Sequence, residues 1–137
     1  MPSRAKEFRY AVDLGADQLL RTEDGTPLGP DPAWTPEHLL LAGLIRCSLE
    51  SLRHHLRRAS FELAAASGSA TALVTRREAD ERYAVVEAQL DLDVELSPQP
   101  GPEELRELLA KAERDCFVGA SLTTKPTYRW TVNGSRA

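Results

Sequence analysis

The sequence is short of the residues that build special-purpose folds. It has only two cysteines, Cys47 and Cys116, with no CxxC spacing. That excludes a disulfide-stapled scaffold and leaves two readings in a reducing compartment, buried apolar residue or reactive thiol. Its three histidines, His38, His54 and His55, have no zinc-ligand spacing, so no metal is expected. Aromatic residues are few and the net charge is −4. Arg53, Arg57 and Arg58 cluster, but acidic residues offset them. No nucleic-acid partner is expected, because such binding needs a basic surface with stacking aromatics or a known motif. No long apolar run exists either. Leu39 to Ile45 falls far short of a bilayer span, so no membrane partner is expected. The N-terminal MPSRAKEF lacks the apolar core and cleavage pattern of a signal peptide, which points to the cytoplasm. Repeats and low-complexity tracts are missing too.

What is present suits one domain spanning residues 1–137, able to bury about two-thirds of its unfolded surface. The stretch EFRYAVDLGADQLLRTEDG predicts a hairpin. Phe8, Tyr10, Val12 and Leu14 alternate, GAD turns the chain, and QLLRTE returns it. DGTPLGPDPAWTP predicts a loop without regular structure. Thr35 as N-cap and Pro36 at the first helical position open a helix that runs to about Arg58, about 34 Å long. Arg46, Glu50, Arg53 and Arg57 form its charged stripe, and the rest is apolar or small. Such a helix must be covered on most sides, by a sheet or by a second subunit. Two long strands follow. FELAAASGSATALVTRRE carries Gly68 as a bulge or bend. YAVVEAQLDLDVEL alternates cleanly, with Ala84, Val86, Ala88, Leu90, Leu92, Val94 and Leu96 on the core side. EELRELLAKAERDC predicts a second helix with Cys116 at its C-terminal end, and YRWTVNG a last strand. The order is α+β, with helices gathered against antiparallel sheet.

Cys47 lies three turns into the first helix. The helix N-terminus is too far away to lower its pKa, and Arg46 points about 100° round the helix. An activated thiolate there needs a cation from another segment. On position alone Cys47 is a small core hydrophobe. His54 is about 10 Å further up the same face, out of reach as a base for Cys47. His54 and His55 are therefore read as surface or interface residues, and Trp34 and Trp130 as core or interface aromatics.

The combination TPEHLLLAGLIRCSLESL, two long strands, ELLAKAERDCFVGASL and a final strand resembles the OsmC/Ohr family. These are the osmotically inducible protein C and organic hydroperoxide resistance proteins. The resemblance runs from about Pro36 to Val132. It implies an OsmC-like fold, with antiparallel sheets packed around two central helices in an intertwined homodimer. It implies that Cys47 is the peroxidatic cysteine, that Cys116 resolves its sulfenic acid to a disulfide, and that Glu37 orients an active-site arginine. It further implies an external dithiol reductant, lipoyl-type in the hydroperoxide branch, and no bound cofactor. Because about 15 Å of helix separates Glu37 from Cys47, a shared site would draw the glutamate from the partner chain. A helix C-terminus disfavours a thiolate, which suits Cys116 as the resolving thiol. The chain departs from the pattern in two places. Phe117, Val118 and Gly119 follow Cys116 where proline, valine and serine are usual. The N-terminal turn, Gly15 to Asp17, holds no arginine, and Arg21 is the nearest candidate.

The expected function is a thiol-dependent peroxidase for organic hydroperoxides, whose apolar surroundings favour such substrates. An alternative is a protein of the same fold that binds a small apolar ligand with little peroxidase activity. A third is another thiol enzyme, such as an acyl transferase, with Cys47 as nucleophile.

Overall fold

The structure is a computed structural model and describes residues 5–29 and 31–137. The chain divides into two compact units, Met1–Thr35 and Pro36–Ala137.

The first unit carries a three-stranded antiparallel sheet, β1 (Val12–Leu14), β2 (Leu20–Thr22) and β3 (Pro27–Leu28). The expected hairpin is present, with Asp13 opposite Arg21 and a turn closed by Gln18 N–H donating to the Gly15 carbonyl at 2.9 Å. Two details differ from the sequence reading. Residues 8–11 form no strand, so the Phe8–Leu14 alternation is realised only from Val12. The supposed loop contributes β3, which pairs Leu28 with Leu20. A positive φ of 91° at Gly25 makes the return turn, a conformation glycine adopts without steric cost. The strand is set by that turn rather than by side-chain periodicity, which is why pattern reading passed over it.

The second unit opens with α1 (Pro36–Arg58), bounded as Thr35-Pro36 and the charged stripe predict. Arg46, Glu50, Arg53 and Arg57 are exposed. The opposite face buries Leu44, Ser48, Ser51, Leu52 and Leu56. Each fully buried leucine contributes about 1.5–3 kcal/mol relative to exposure. Between these faces Leu39, Leu40, Leu41, Ile45 and Leu49 are only half-buried.

Two long strands follow, β4 (Glu62–Arg76) and β5 (Tyr83–Ser97), paired antiparallel almost throughout. The inward side of β5 is Ala88, Leu90, Leu92, Val94 and Leu96, all buried as the alternation requires, whereas beyond the register shift Ala84 and Val86 are only half-buried and Val85 packs against the core instead. Gly68 is not at a bulge. Register shifts fall between Leu63 and Ala65 and between Leu73 and Val74, while Gly68 pairs regularly with Leu92. Glycine serves close approach here, since a Cβ would come 2.5 Å from the Asp91 carbonyl oxygen.

The helix α2 (Pro102–Arg114) packs Leu108, Leu109 and Ala112 inward. It is followed by a one-turn helix, α3 (Phe117–Ala120), then β6 (Thr127–Val132) and β7 (Ser135–Arg136). The sheet order is β4-β5-β6-β7. One pairing departs from the expected antiparallel sheet, because β6 runs parallel to β5. The helical crossover through α2 and α3 returns the chain to the end where β5 began, which is what a parallel neighbour needs. The α+β class stands, with helices on one side of a largely antiparallel sheet. Among the described residues no helix is long and apolar enough to cross a membrane.

Candidate functional site

The site forms where α1 meets the corner between α2 and α3. Leu44 and Ser48 sit on the buried face of α1, and Cys47 lies beside them at its margin, half-buried. Two contacts hold α2 at this place. The Ser51 hydroxyl donates to the Ala112 carbonyl at 2.8 Å, and His55 Nε2 lies 2.8 Å from Asp115 Oδ2. Asp115 is the C-cap of α2 and is also gripped by the Arg114 guanidinium through two bonds of 2.9 Å. Arg114 first, and then His55, hold the Asp115 carboxyl down to about 2.

With the corner pinned, the chain turns into α3. Cys116 is its N-cap, fully buried, and its own Sγ accepts the Gly119 N–H at 3.4 Å. The next amide in the same turn, Val118 N–H, donates to Cys47 Sγ at 3.4 Å. Two sulfurs far apart in the sequence thus lie on one backbone turn. They are near neighbours, and the Cys116 thiol is one of the groups that push the Cys47 thiol upward. Glycine at 119 keeps the turn close, because a Cβ there would stand 3.4 Å from Cys116 Sγ and 3.7 Å from Leu44 Cδ1.

A buried polar chain approaches Cys116 from the other side. Ser48 Oγ donates to Cys116 Sγ at 3.6 Å and lies 2.9 Å from the Tyr128 hydroxyl. Burial, foremost, pushes the Tyr128 phenol well above its ordinary range. Tyr128 stacks on Trp130 with ring centroids 5.7 Å apart, and the Trp130 indole donates to Glu113 at 3.0 Å. Trp130 is therefore a core aromatic, as expected.

The electrostatics of Cys47 are mixed. Burial, the largest influence, pushes its thiol above the ordinary value, and the neighbouring Cys116 thiol adds to that rise. The Val118 and Phe117 amides pull the other way. Among the described residues of this unit no guanidinium acts on the sulfur; the favourable donors are backbone N–H groups.

The unit therefore brings together Cys47 and Cys116 of the four residues singled out in the sequence. Glu37 stands exposed in the first turn of α1, about 15 Å along the helix from Cys47. Arg21 lies on β2 in the first unit, where its guanidinium grips Asp17 through bonds of 2.7 and 3.2 Å. One expectation is corrected. Cys116 is not at the C-terminal end of α2, which stops at Arg114, but at the N-cap of α3. Sequence reading also passed over α3 itself, Ser48, Tyr128 and the His55–Asp115 pair. Ser48 is four residues after Leu44 on the inner face, a polar residue where apolar ones are the rule, and that was the available signal. Among the described residues no cluster of His, Cys, Asp and Glu could hold a metal ion.

Chemically, two neighbouring thiols, one buried and one partly open, each accepting an amide N–H of one backbone turn in an apolar setting, are candidates for a redox pair.

Comparisons with known proteins bear on the family and the fold. The model of a family described as OsmC-like protein matches residues 29–131. No curated protein sequence matches significantly. Among solved structures, an OsmC-like protein of unknown function from Vibrio cholerae is similar, with a TM-score of 0.73 at 12% identity over 90% of this chain and 99% of that one. The organic hydroperoxide resistance protein OhrB of Bacillus subtilis gives a TM-score of 0.59 at 16% identity, covering 91% and 96%. An organic hydroperoxide resistance protein from Legionella pneumophila gives 0.59 at 18% identity, covering 95% and 98%. At these identities the likeness to the solved structures is one of fold.

Proposed function

We propose a function from one premise: the chain belongs to the OsmC-like protein family. It is a cysteine-based peroxidase that reduces organic hydroperoxides. The observation that carries this reading is the meeting of Cys47 and Cys116 on the α3 turn. Solved structures of the same fold that are named for organic hydroperoxide resistance add support.

In the first step the Cys47 thiolate attacks the terminal oxygen of the hydroperoxide. The O–O bond breaks, an alcohol leaves with a proton, and Cys47 becomes a sulfenic acid. In the second step the Cys116 sulfur attacks Cys47 Sγ. A disulfide forms and the hydroxyl leaves as water. An external dithiol, lipoyl-type by family resemblance, then exchanges with the disulfide, becomes a disulfide itself and restores both thiols. The Leu-rich surroundings of Cys47, Leu44 among them, favour an alkyl or aryl hydroperoxide over hydrogen peroxide.

The working form is a homodimer in which residues 1–137 act as one domain. A partner copy would cover the half-exposed leucines of α1 and the exposed Leu73, Val74 and Phe117. It would also supply Glu37, which is too far from its own Cys47. Arg21 is the proposed cation that favours the Cys47 thiolate, against the burial that opposes it. The proposed location is the cytoplasm, where dithiols keep both cysteines reduced.

The test is steady-state turnover with cumene hydroperoxide and dihydrolipoamide. Wild-type protein should turn over, at least about tenfold faster than with hydrogen peroxide, and Cys47→Ser should be inactive. Consumption no faster than that by free cysteine would remove the peroxidase reading and leave a protein that binds an apolar ligand.

A further inference from the structure

The site is asymmetric about its two sulfurs. Cys116 is 0% exposed, while Cys47 is partly open. A thiolate attacking a disulfide must come in line with the S–S bond, and an approach to Cys116 is closed. Cys116 also carries donors that suit a departing sulfur, one of them a side-chain hydroxyl that Cys47 lacks. It receives the Gly119 N–H at 3.4 Å and the Ser48 hydroxyl at 3.6 Å.

Ser48 has a single hydroxyl proton. If that proton goes to Cys116, the Ser48 oxygen must accept from its other neighbour, the Tyr128 hydroxyl at 2.9 Å. In that arrangement the chain runs from Tyr128 O–H to Ser48 Oγ and from Ser48 O–H to Cys116 Sγ. Tyr128 ends the chain and is held in place by stacking on the buried Trp130. No buried side-chain N or O atom among the described residues lacks a partner, so this network is complete.

We propose that Ser48, oriented by Tyr128, is a positioning residue that makes Cys116 the leaving sulfur when the Cys47–Cys116 disulfide is reduced, so that the incoming dithiol attacks Cys47. The inference rests on the redox-pair part of the function proposed above. The dithiol's thiolate forms a bond to Cys47 Sγ while the S–S bond breaks, and the electron pair goes to Cys116 Sγ. The Ser48 and Gly119 donors stabilise that charge. The second thiol of the reductant then attacks its own bound sulfur, closes a ring and releases Cys47 as the thiolate. A hydrogen bond to a charged acceptor is stronger than one to a neutral acceptor, so Ser48 favours the departing thiolate over the intact disulfide.

The experiment starts from disulfide prepared with diamide, which needs no hydroperoxide. Reaction with excess 2-mercaptoethanol, acid quench and peptide mapping locates the mixed disulfide. Dihydrolipoamide reduction is followed by stopped flow for wild type, Ser48→Ala, Ser48→Thr and Tyr128→Phe. The mixed disulfide is expected on Cys47. Ser48→Ala should slow reduction about tenfold or more. Ser48→Thr, which keeps the hydroxyl, should restore the rate to within about threefold. Tyr128→Phe should fall between wild type and Ser48→Ala, and it keeps the test open should either Ser48 variant fold poorly. A mixed disulfide on Cys116, an unchanged Ser48→Ala rate, or a Tyr128→Phe rate equal to wild type would overturn the inference. If diamide yields no intramolecular disulfide, the redox pair and this inference fall together. If the variants behave as expected but hydroperoxide leaves the thiols intact, the inference stands and the peroxidase reading falls.

Discussion

The Val118 amide offers the sharpest perturbation of the site, because it is a single donor aimed at the attacking sulfur from 3.4 Å. Replacing the N–H of residue 118 by an ester oxygen removes the donor and keeps the side chain and the turn. A hydrogen bond to a charged group contributes about 1.5–3 kcal/mol, and one to a neutral group about 0.5–1.5 kcal/mol. The amide therefore favours the Cys47 thiolate over the thiol by about 1–1.5 kcal/mol, which is about one pKa unit. Burial already pushes this thiol upward, and losing the amide leaves only the Phe117 N–H among the backbone donors opposing it. The rate of thiol loss with stoichiometric cumene hydroperoxide should fall about tenfold at every pH below the Cys47 midpoint. Above the variant's own, higher midpoint, where both proteins are thiolate, the two rates should converge. The assay is stopped-flow hydroperoxide consumption from about pH 6 to pH 10.5. An equal fall at all pH values would mean distortion of the site rather than lost charge stabilisation. No fall at all would mean that α3 does not set the thiolate.

Other outcomes test the surrounding architecture. Arg21→Ala should raise the same kinetic midpoint and slow the reaction below it, read from the same pH profile; an unmoved midpoint removes Arg21 from the proposed site. Asp115 has a carboxyl depressed to about 2 against an unfolded value near ~3.9, so its contribution is complete above about pH 4 and is lost as pH falls through about 2. Because the side chain is 38% exposed, screening limits that contribution to about 1 kcal/mol. Urea unfolding should show Asp115→Asn less stable than wild type near neutrality, with the gap closing as pH falls through about 2. Gly68→Ala should lower the unfolding free energy in urea by about 1–3 kcal/mol, since its Cβ would meet the Asp91 carbonyl at 2.5 Å and the Leu92 Cδ2 at 2.7 Å. A neutral result there would mean that β4 shifts away from β5 at little cost.

The parts of the molecule legible in the sequence were those carried by long periodic patterns. The helix Pro36–Arg58 announces itself through Thr35, Pro36 and the charged stripe, and β5 through seven alternating apolar positions. The two thiols stood out because they are the only ones. What was illegible is short or non-local. Four residues, Phe117–Ala120, are too few to show a helical period, and a cysteine N-cap is not among the usual capping signals. The parallel pairing of β6 with β5 depends on where the crossover lands rather than on any residue in YRWTVNG. Ser48, Tyr128, His55 and Asp115 gain their meaning only from partners on other elements. The Gly68 position shows the ambiguity of a single residue, since a bulge and a close approach both select glycine.

The most direct measurement is free-thiol titration with intact-mass analysis, made on reduced protein treated with one equivalent of cumene hydroperoxide. Two thiols per chain should vanish together, one cumyl alcohol should appear, and peptide mapping should join Cys47 to Cys116 within one chain. Retention of both thiols, or a sulfinic acid on Cys47 beside an untouched Cys116, would contradict the account.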